Sequence, residues 1–210
     1  MRGKLGLIGI VCVTLLLPVS AQAQGWELGA RVIGVLPNDS SDYIGETGTK
    51  VTVDDAYTLE VDLTYMFSEN LGLEVIAGTT KHDLNAVEGA LNGASAGSVK
   101  VLPPTFTLVY RFPVGFYLGI GLNYTLFYSY DLSDDLAGAG VTDVEFSDSF
   151  GLAGDIGFDF FFGENWYFNI DLKYIQISTD AKLKTATGVL DEIKVDIDPW
   201  VPGIGFGYRF

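Results

Sequence analysis

The last stretch of the chain, WVPGIGFGYRF at residues 200–210, alternates between two kinds of side chain. One set is apolar or aromatic and contains Trp200, Pro202, Ile204, Phe206, Tyr208 and Phe210. The other set is small or polar and contains Val201, Gly203, Gly205, Gly207 and Arg209. This period of two predicts a β-strand, because successive side chains of a strand point to opposite faces. We expect the aromatic face to contact lipid and the small face to line a lumen.

The same alternation recurs in seven earlier stretches. The predicted strands begin at residues 26, 56, 71, 101, 116, 146, 166 and 200. Short turns at 68–70, 113–115 and 163–165 alternate with long polar segments at 37–55, 81–100, 131–145 and 180–194, which we predict to be loops. Short periplasmic turns and long extracellular loops are typical of membrane barrels. The sequence therefore predicts an all-β fold, an eight-stranded antiparallel transmembrane β-barrel.

A soluble lipocalin-like barrel is the competing interpretation, because it also has eight strands around an inner site. In that fold the apolar face would point inward, and alternation alone does not distinguish the two. Aromatic residues at the strand ends favour the membrane barrel, since they form a girdle at one water–lipid boundary. These residues are Trp26, Phe67, Phe112, Phe116, Phe162, Trp166 and Phe210.

Residues 1–23 have the features of a secretory signal peptide. Arg2 and Lys4 precede an apolar run at 5–17, and residues 21–23 (AQA) form a small-x-small cleavage site. We expect residues 1–23 to be removed and residues 24–210 to form a single barrel domain. Cys12 is the only cysteine, so the mature chain has no disulfide or thiol chemistry.

The charge of the mature chain limits its partners. Without Arg2 and Lys4 it keeps 10 basic and 27 acidic residues, a net charge of −17. This surplus of acid argues against binding nucleic acid. No uninterrupted apolar run of about 18 residues follows the signal segment, so the sequence contains no transmembrane helix.

Several motifs carry a resemblance to a known family. They are LPPT at 102–105, GLNYT at 121–125, DSFG at 148–151, DPWV at 198–201 and GYRF at 207–210. In this order the motifs resemble the outer-membrane protein W (OmpW) family. The resemblance implies a Gram-negative outer-membrane barrel, surrounded by lipid and lipopolysaccharide, whose lumen takes up small hydrophobic molecules. The terminal Phe210 also resembles the sorting signal that the outer-membrane assembly machinery reads.

The inward-facing residues separate by height into two groups. Those nearer the short turns are charged: Glu27, Arg31, Glu60, Asp62, Glu74, Arg111, Asp155, Asp159, Asp171, Lys173 and Arg209. We expect them to form a salt-bridged plug, because unpaired buried charge is costly. Those nearer the long loops are apolar and are expected to line a ligand pocket: Ile33, Val35, Ile76, Val109, Phe127, Ile175 and Val201.

Four prolines fall within predicted strands, at Pro103, Pro104, Pro199 and Pro202. Because proline cannot donate to a strand ladder, these positions are candidates for a lateral opening from the lumen into the membrane. The alternative is that they lie above the hydrocarbon and end the ladder harmlessly.

Other chemistry has little support in the sequence. His82 is the only histidine and is expected on a surface loop, so a hydrolase would depend on it alone. The acidic loops show no fixed metal-ligand spacing, and no cofactor motif is present. We therefore predict a non-enzymatic channel or receptor for small hydrophobic compounds. A structural or adhesive barrel with a packed lumen is the alternative, and a lipid-modifying enzyme is the third.

Overall fold

The computed structural model describes residues 25–210, so the predicted signal segment at 1–23, including Cys12, lies outside the described residues. The strands in chain order are β1 (Gly25–Val35), β2 (Ser40–Ser41), β3 (Lys50–Val53), β4 (Ala56–Met66), β5 (Leu71–Gly78), β6 (Thr80–Val87), β7 (Ser95–Leu102), β8 (Thr105–Arg111), β9 (Phe116–Leu132), β10 (Asp143–Phe146), β11 (Ser149–Phe162), β12 (Trp166–Ile175), β13 (Ser178–Thr185), β14 (Gly188–Asp196) and β15 (Trp200–Arg209). A 3-10 turn (Gly45–Thr47) and a short helix, α1 (Asp134–Gly138), complete the fold. Within the described chain, no helix is long and apolar enough to cross a membrane.

Eight of these strands form a closed antiparallel barrel in the order β1, β4, β5, β8, β9, β11, β12 and β15. The last strand returns to the first, with Leu28 of β1 opposite Tyr208 of β15. Closure leaves the barrel without a free edge, as a lipid-exposed sheet requires. The predicted eight-stranded barrel is confirmed.

The outer surface of the barrel is apolar along its whole membrane-spanning height, and the inner surface is charged towards the short turns. Leu59, Ile120 and Phe150 are 69%, 67% and 69% exposed, and similar side chains surround the wall. A continuous apolar belt of this kind is not found on water-soluble monomers. The lipocalin-like interpretation, with the apolar face inside, is therefore excluded.

Aromatic girdles mark both edges of this belt. At the short-turn end, ring contacts join Trp26 to Tyr65, Tyr65 to Phe67, and Trp166 to Tyr208. At the opposite end, the rings of Tyr174 and Trp200 lie 5.0 Å apart. The first group forms the periplasmic girdle and the second belongs to the extracellular girdle, since amphipathic rings favour the two boundaries of a bilayer.

Two of the four segments predicted as long loops, 81–100 and 180–194, are mostly strand, so the prediction was wrong for them; the other two contain only short strands. The segment 37–55 contains β2 and β3, and 81–100 contains most of β6 and β7. The segment 131–145 contains α1 and part of β10, and 180–194 contains most of β13 and β14. These strands pair in two groups, β3–β6–β7–β9 and β10–β13–β14–β2. They continue the barrel wall beyond the extracellular girdle, and we call this part the extension.

The extension was missed because its polarity is the reverse of that in the membrane. In β6, Thr80, His82, Leu84 and Ala86 face inward while Lys81 and Asp83 are exposed. The outer face of the extension is in water and must be polar. The alternation with a period of two therefore continues, but the apolar residues point inward instead of outward. The inward apolar residues pack into one cluster, which includes Leu84, Val99, Leu136, Ile193 and Val195.

All three tryptophans are placed on the lipid-facing surface, where Trp26, Trp166 and Trp200 are 49%, 50% and 47% exposed. In vesicles of lipid brominated on the acyl chain, we expect the fluorescence of each to be quenched, because each ring borders hydrocarbon. Single-tryptophan variants, with the other two changed to phenylalanine, provide the measurement. Lack of quenching by brominated lipid, with strong quenching by aqueous iodide, would contradict this orientation.

Candidate functional site

The inner face of the barrel encloses an apolar cavity above the predicted plug. This lower cavity contains about 710 Å³ of space, counting its open mouth. Six of the seven residues predicted to line a pocket lie on its wall: Ile33, Val35, Ile76, Phe127, Ile175 and Val201. Sequence parity predicted that these residues face inward, because they alternate with lipid-facing positions on their strands.

Val109 instead lies one level lower, among the plug residues. It borders a small polar space together with Arg31, Glu74 and Arg111. The chain descends along β8 from Thr105 to Arg111, and Ile76 pairs with Thr105 rather than with Val109. Val109 therefore faces the lumen as predicted, but it lies at the level of the plug and not at the level of the predicted pocket.

A second apolar space lies inside the extension. This upper cavity contains about 620 Å³ of space, counting the open space that adjoins it, and is bordered by Leu84, Leu136 and Ile193, among others. Val53, Val99, Phe127 and Ile197 border both cavities. The two cavities are therefore adjacent, and we call them together, from the extension to the plug, the apolar tunnel.

The upper layer of the plug is organised around Arg31. Its guanidinium lies 3.0 Å from Glu60, 2.8 Å from Asp62, 2.6 Å from Glu74 and 2.7 Å from Asp171. The Nζ atom of Lys173 lies 2.8 Å from Glu60 and 2.5 Å from Asp171. All these side chains are buried, so each charge has exchanged water for an opposite charge.

The lower layer of the plug joins the remaining charges. Arg111 donates to both carboxylate oxygens of Glu27, at 2.9 and 2.8 Å, and its Nε lies 2.8 Å from Asp159. Arg209 lies 2.9 Å from Glu27 at the more exposed periplasmic rim, and its guanidinium stacks on Phe161 at 3.8 Å. Asn169 connects the two layers, because its amide nitrogen donates to Asp159 and its amide oxygen accepts from Arg31 at 3.4 Å. The lumen is thus closed towards the periplasm.

Asp155 differs from the other plug residues. It is 7% exposed, yet neither carboxylate oxygen has a hydrogen-bond partner among the described residues. It stands opposite Lys173 in the β11–β12 pairing and lies against Gly119 of β9. A Cβ at Gly119 would overlap the carboxylate, so glycine is required there. All eleven predicted plug residues therefore lie in the periplasmic part of the lumen, in two layers, but Asp155 makes no hydrogen bond with the described residues.

His82 lies in the tunnel wall rather than on a surface loop, so that prediction was wrong. It is 4% exposed on β6 and borders the lower cavity. Its Nδ1 is 2.8 Å from the Asp54 carbonyl oxygen and its Nε2 is 2.9 Å from the Thr80 hydroxyl. Neither partner is a carboxylate, so the ring is not oriented as a hydrolase base would be. Alternation in residues 80–86 was the signal that could have identified it.

The prolines proposed as a lateral opening are bridged by other groups. Pro103 and Pro104 separate β7 from β8, but the Tyr124 amide donates to the Pro104 carbonyl at 3.1 Å. The Ile175 amide donates to the Pro199 carbonyl at 3.2 Å. Pro202 lies within β15, opposite Leu172. Pro104 and Pro199 therefore lie at the level of the extracellular girdle, where the wall remains connected.

A wider interruption lies between β9 and β10. Pairing of β9 with β11 ends at Thr125, after which β9 pairs with β7 and β10 pairs with β13. Among the described residues no ladder joins β9 to β10, and a space of about 640 Å³ lies between them. It is bordered by Val99, Phe127, Tyr128, Ser129, Tyr130, Asp143, Val144, Glu145 and Phe146. We call it the β9–β10 window; Phe127 and Phe146 stack across it at 5.7 Å.

An outer-membrane β-barrel whose apolar lumen ends on a plug of paired charges is the class of protein that this fold and site define. The match to the OmpW family model covers residues 26–210. The chain belongs to the OmpW family, whose members are proteins of the Gram-negative outer membrane.

Individual relatives agree with this assignment. Outer membrane protein W of Vibrio cholerae is 35% identical, over 92% of this chain and 92% of its own length. An outer-membrane protein of Sinorhizobium fredii, y4mB, is 37% identical over 91% of this chain and 82% of its own. The crystal structure of the outer membrane protein OprG from Pseudomonas aeruginosa is similar with a TM-score of 0.80 and 36% identity, covering 90% of this chain and 98% of that one.

Replacing Arg31 by methionine should strongly destabilise the barrel. Four buried carboxylates would lose a shared cation, and breaking a buried ion pair typically costs about 3–5 kcal/mol. Urea unfolding in lipid vesicles, followed by tryptophan fluorescence, measures the free energy of unfolding. The control is Lys182→Gln, which breaks an exposed pair with Glu192 and should cost about 1 kcal/mol or less. Equal losses in the two variants would contradict the role given to Arg31.

His82 should titrate below its ordinary pKa. Burial lowers the pKa of His82 from 6.5, because the charged ring would lose its hydration. The unfolded chain then binds the proton more readily, so this group's contribution to stability falls as the pH drops below 6.5. The carbon chemical shift of the single imidazole ring, followed by NMR in nanodiscs, gives the midpoint directly. A midpoint at or above 6.5 would contradict the buried placement, and His82→Gln identifies the signal.

Proposed function

We propose that this outer-membrane barrel takes up small hydrophobic molecules from outside the cell and does not act as an enzyme. The observation that carries the proposal is the pair of adjacent apolar cavities, the tunnel, that lies above the charged plug. Such a lumen offers an apolar solute a surface that water cannot offer, worth about 0.8 kcal/mol for each buried methylene. The same lumen offers little to an ion.

The alternative, a structural or adhesive barrel with a packed lumen, is less well supported. A packed lumen would be filled by its own side chains, as in other narrow barrels. Here the inward residues above the plug are mostly of moderate size, such as Val53, Val99, Ile76 and Ile177, and they leave space between them. A polar or adhesive role of the extension is compatible with uptake but does not account for this space.

Because the plug blocks the periplasmic end, we propose that the solute leaves sideways into the membrane. The β9–β10 window supports this route better than the prolines do, since Val99 and Phe127 border both the window and the tunnel. The window lies a few residues above Tyr124 on the same strand, near the extracellular girdle. A solute leaving there would meet the outer edge of the lipid layer.

Lipid and lipopolysaccharide are the proposed surroundings of this barrel, and the assembly machinery is its proposed partner through Phe210. The terminal Phe210 is exposed, and its amide donates to the Trp26 carbonyl at 2.9 Å. Its ring is therefore held at the periplasmic girdle while one face stays accessible. A sorting role and a girdle role are compatible at this position.

Uptake can be tested by adding N-phenyl-1-naphthylamine, an uncharged dye that fluoresces in lipid, to outer-membrane vesicles containing the barrel. Val99→Trp should slow the rise in fluorescence about tenfold, because a large ring at the junction of both cavities would fill the path. The matched control is Ile120→Trp on the lipid-facing surface. If Val99→Trp folds normally and the rate is unchanged, the tunnel is not the route.

The exit is tested in the same assay. Residues 24–210 contain no cysteine, so a Ser129→Cys/Asp143→Cys pair can be joined across the window by a short bismaleimide. We expect joining to slow uptake, while Pro103→Val/Pro104→Val has a smaller effect. If the proline replacements slowed uptake more than joining the window did, the proline positions would be favoured as the exit.

A further inference from the structure

We propose that the tunnel discriminates by charge, accepting uncharged amphipathic molecules such as alcohols and rejecting carboxylates of the same chain length. This inference rests on the proposed function and specifies its substrate class. It follows from the charges beneath the tunnel floor, which do not cancel.

The floor of the tunnel is ionic. Glu60 and Lys173 border the lower cavity beside Ile76, so the end of a bound chain would lie close to both. One carboxylate oxygen of Glu60 is already shared between Lys173, at 2.8 Å, and Arg31, at 3.0 Å. The head group of a ligand would therefore meet the edge of the plug.

Both cations in this layer are already neutralised by acids. Arg31 lies within 3.0 Å of four carboxylates, and Lys173 within 2.8 Å of two of the same four. Asp155 is a fifth carboxylate at this level, so five acids face two bases. An incoming anion would find no cation to pair with.

Several carboxylate oxygens of this layer make no hydrogen bond with any described residue. Both oxygens of Asp155, Oε2 of Glu74 and Oδ1 of Asp171 are buried without a hydrogen-bond partner among the described residues. Asp155 is more than nine-tenths buried and stands opposite Lys173 in the strand pairing. When this carboxyl group is ionised, its charge acts at the floor without being screened by solvent.

The tunnel wall supplies no compensating charge. Among the described residues that border the two cavities, Lys173 is the only lysine or arginine. Both nitrogens of His82 are occupied by Asp54 and Thr80. A carboxylate would have to give up its hydration for an apolar wall and a negative floor, and repulsion between like charges is strong away from water. A hydroxyl head would lose far less and could donate to an acceptor at the floor.

The test measures displacement of N-phenyl-1-naphthylamine from the barrel in zwitterionic nanodiscs at pH 8, where decanoate is ionised. We expect 1-decanol to displace the dye at a concentration at least about tenfold below that of decanoate. Empty nanodiscs give the partitioning into lipid, which is the same for every variant. The readout is therefore the ratio of the decanoate and decanol midpoints.

Two variants should move this ratio in opposite directions. Asp155→Asn removes one surplus negative charge and should narrow the ratio, whereas Lys173→Gln removes a base and should widen it. If Asp155 and Lys173 only maintained the fold, the two substitutions would shift the ratio in the same direction. The matched controls, Asp180→Asn and Lys182→Gln, change exposed charges on the extension and should leave the ratio unmoved.

The outcomes separate the two proposals. If decanol displaces the dye but the ratio does not respond to Asp155→Asn and Lys173→Gln, or both shift it alike, charge discrimination is overturned while uptake stands. If Lys173→Gln fails to fold, Asp155→Asn alone decides the result. If neither the dye nor decanol binds to the wild-type barrel, the proposed function fails and this inference fails with it.

Discussion

Carboxylates outnumber cations inside a bore that is too narrow for water to solvate them, and Arg31 is the group that makes this arrangement stable. A guanidinium has five donors in a rigid plane, so it can serve several acids at once. Here its partners come from three strands: Glu60 and Asp62 from β4, Glu74 from β5 and Asp171 from β12. One side chain of β1 thus connects opposite walls of the barrel. The closed periplasmic end of the lumen depends on it.

With one end closed by charge, the rest of the lumen is free to be apolar. The residues above the plug are mainly β-branched or small, which suits the inner face of a strand but does not fill an eight-stranded barrel. The extension continues the same wall into water, and its inward cluster joins the lower cavity through Val99 and Phe127. Plug, lower cavity and upper cavity are therefore consecutive sections of one lumen.

The sequence predicted the barrel and the plug because both follow from a period of two. Once the aromatic face of each strand is assigned to lipid, residues such as Arg31 and Asp171 must face inward, and narrowness brings them together. Val109 was placed too high because parity gives the face of a residue and not its height, which depends on register. The extension was taken for loops because its outer face is polar, and His82 was misplaced with it. The β9–β10 window depends on which strands pair above Thr125, and alternation contains no information about that choice.

Ring contacts lie across the seam between β9 and β10, where Phe127 stacks on Phe146 and Tyr130 lies 5.5 Å from Phe146, and the Phe127 amide donates to Asp148 at the lower end. Parting two paired strands in lipid leaves amide groups without partners, which is costly because no water is present to replace the lost hydrogen bonds. Separating two rings costs their mutual contact, and an apolar solute that lies between them replaces most of that contact. Water restores none. Such a seam yields most easily to molecules that resemble its own side chains, so the wall itself helps to select what passes through it.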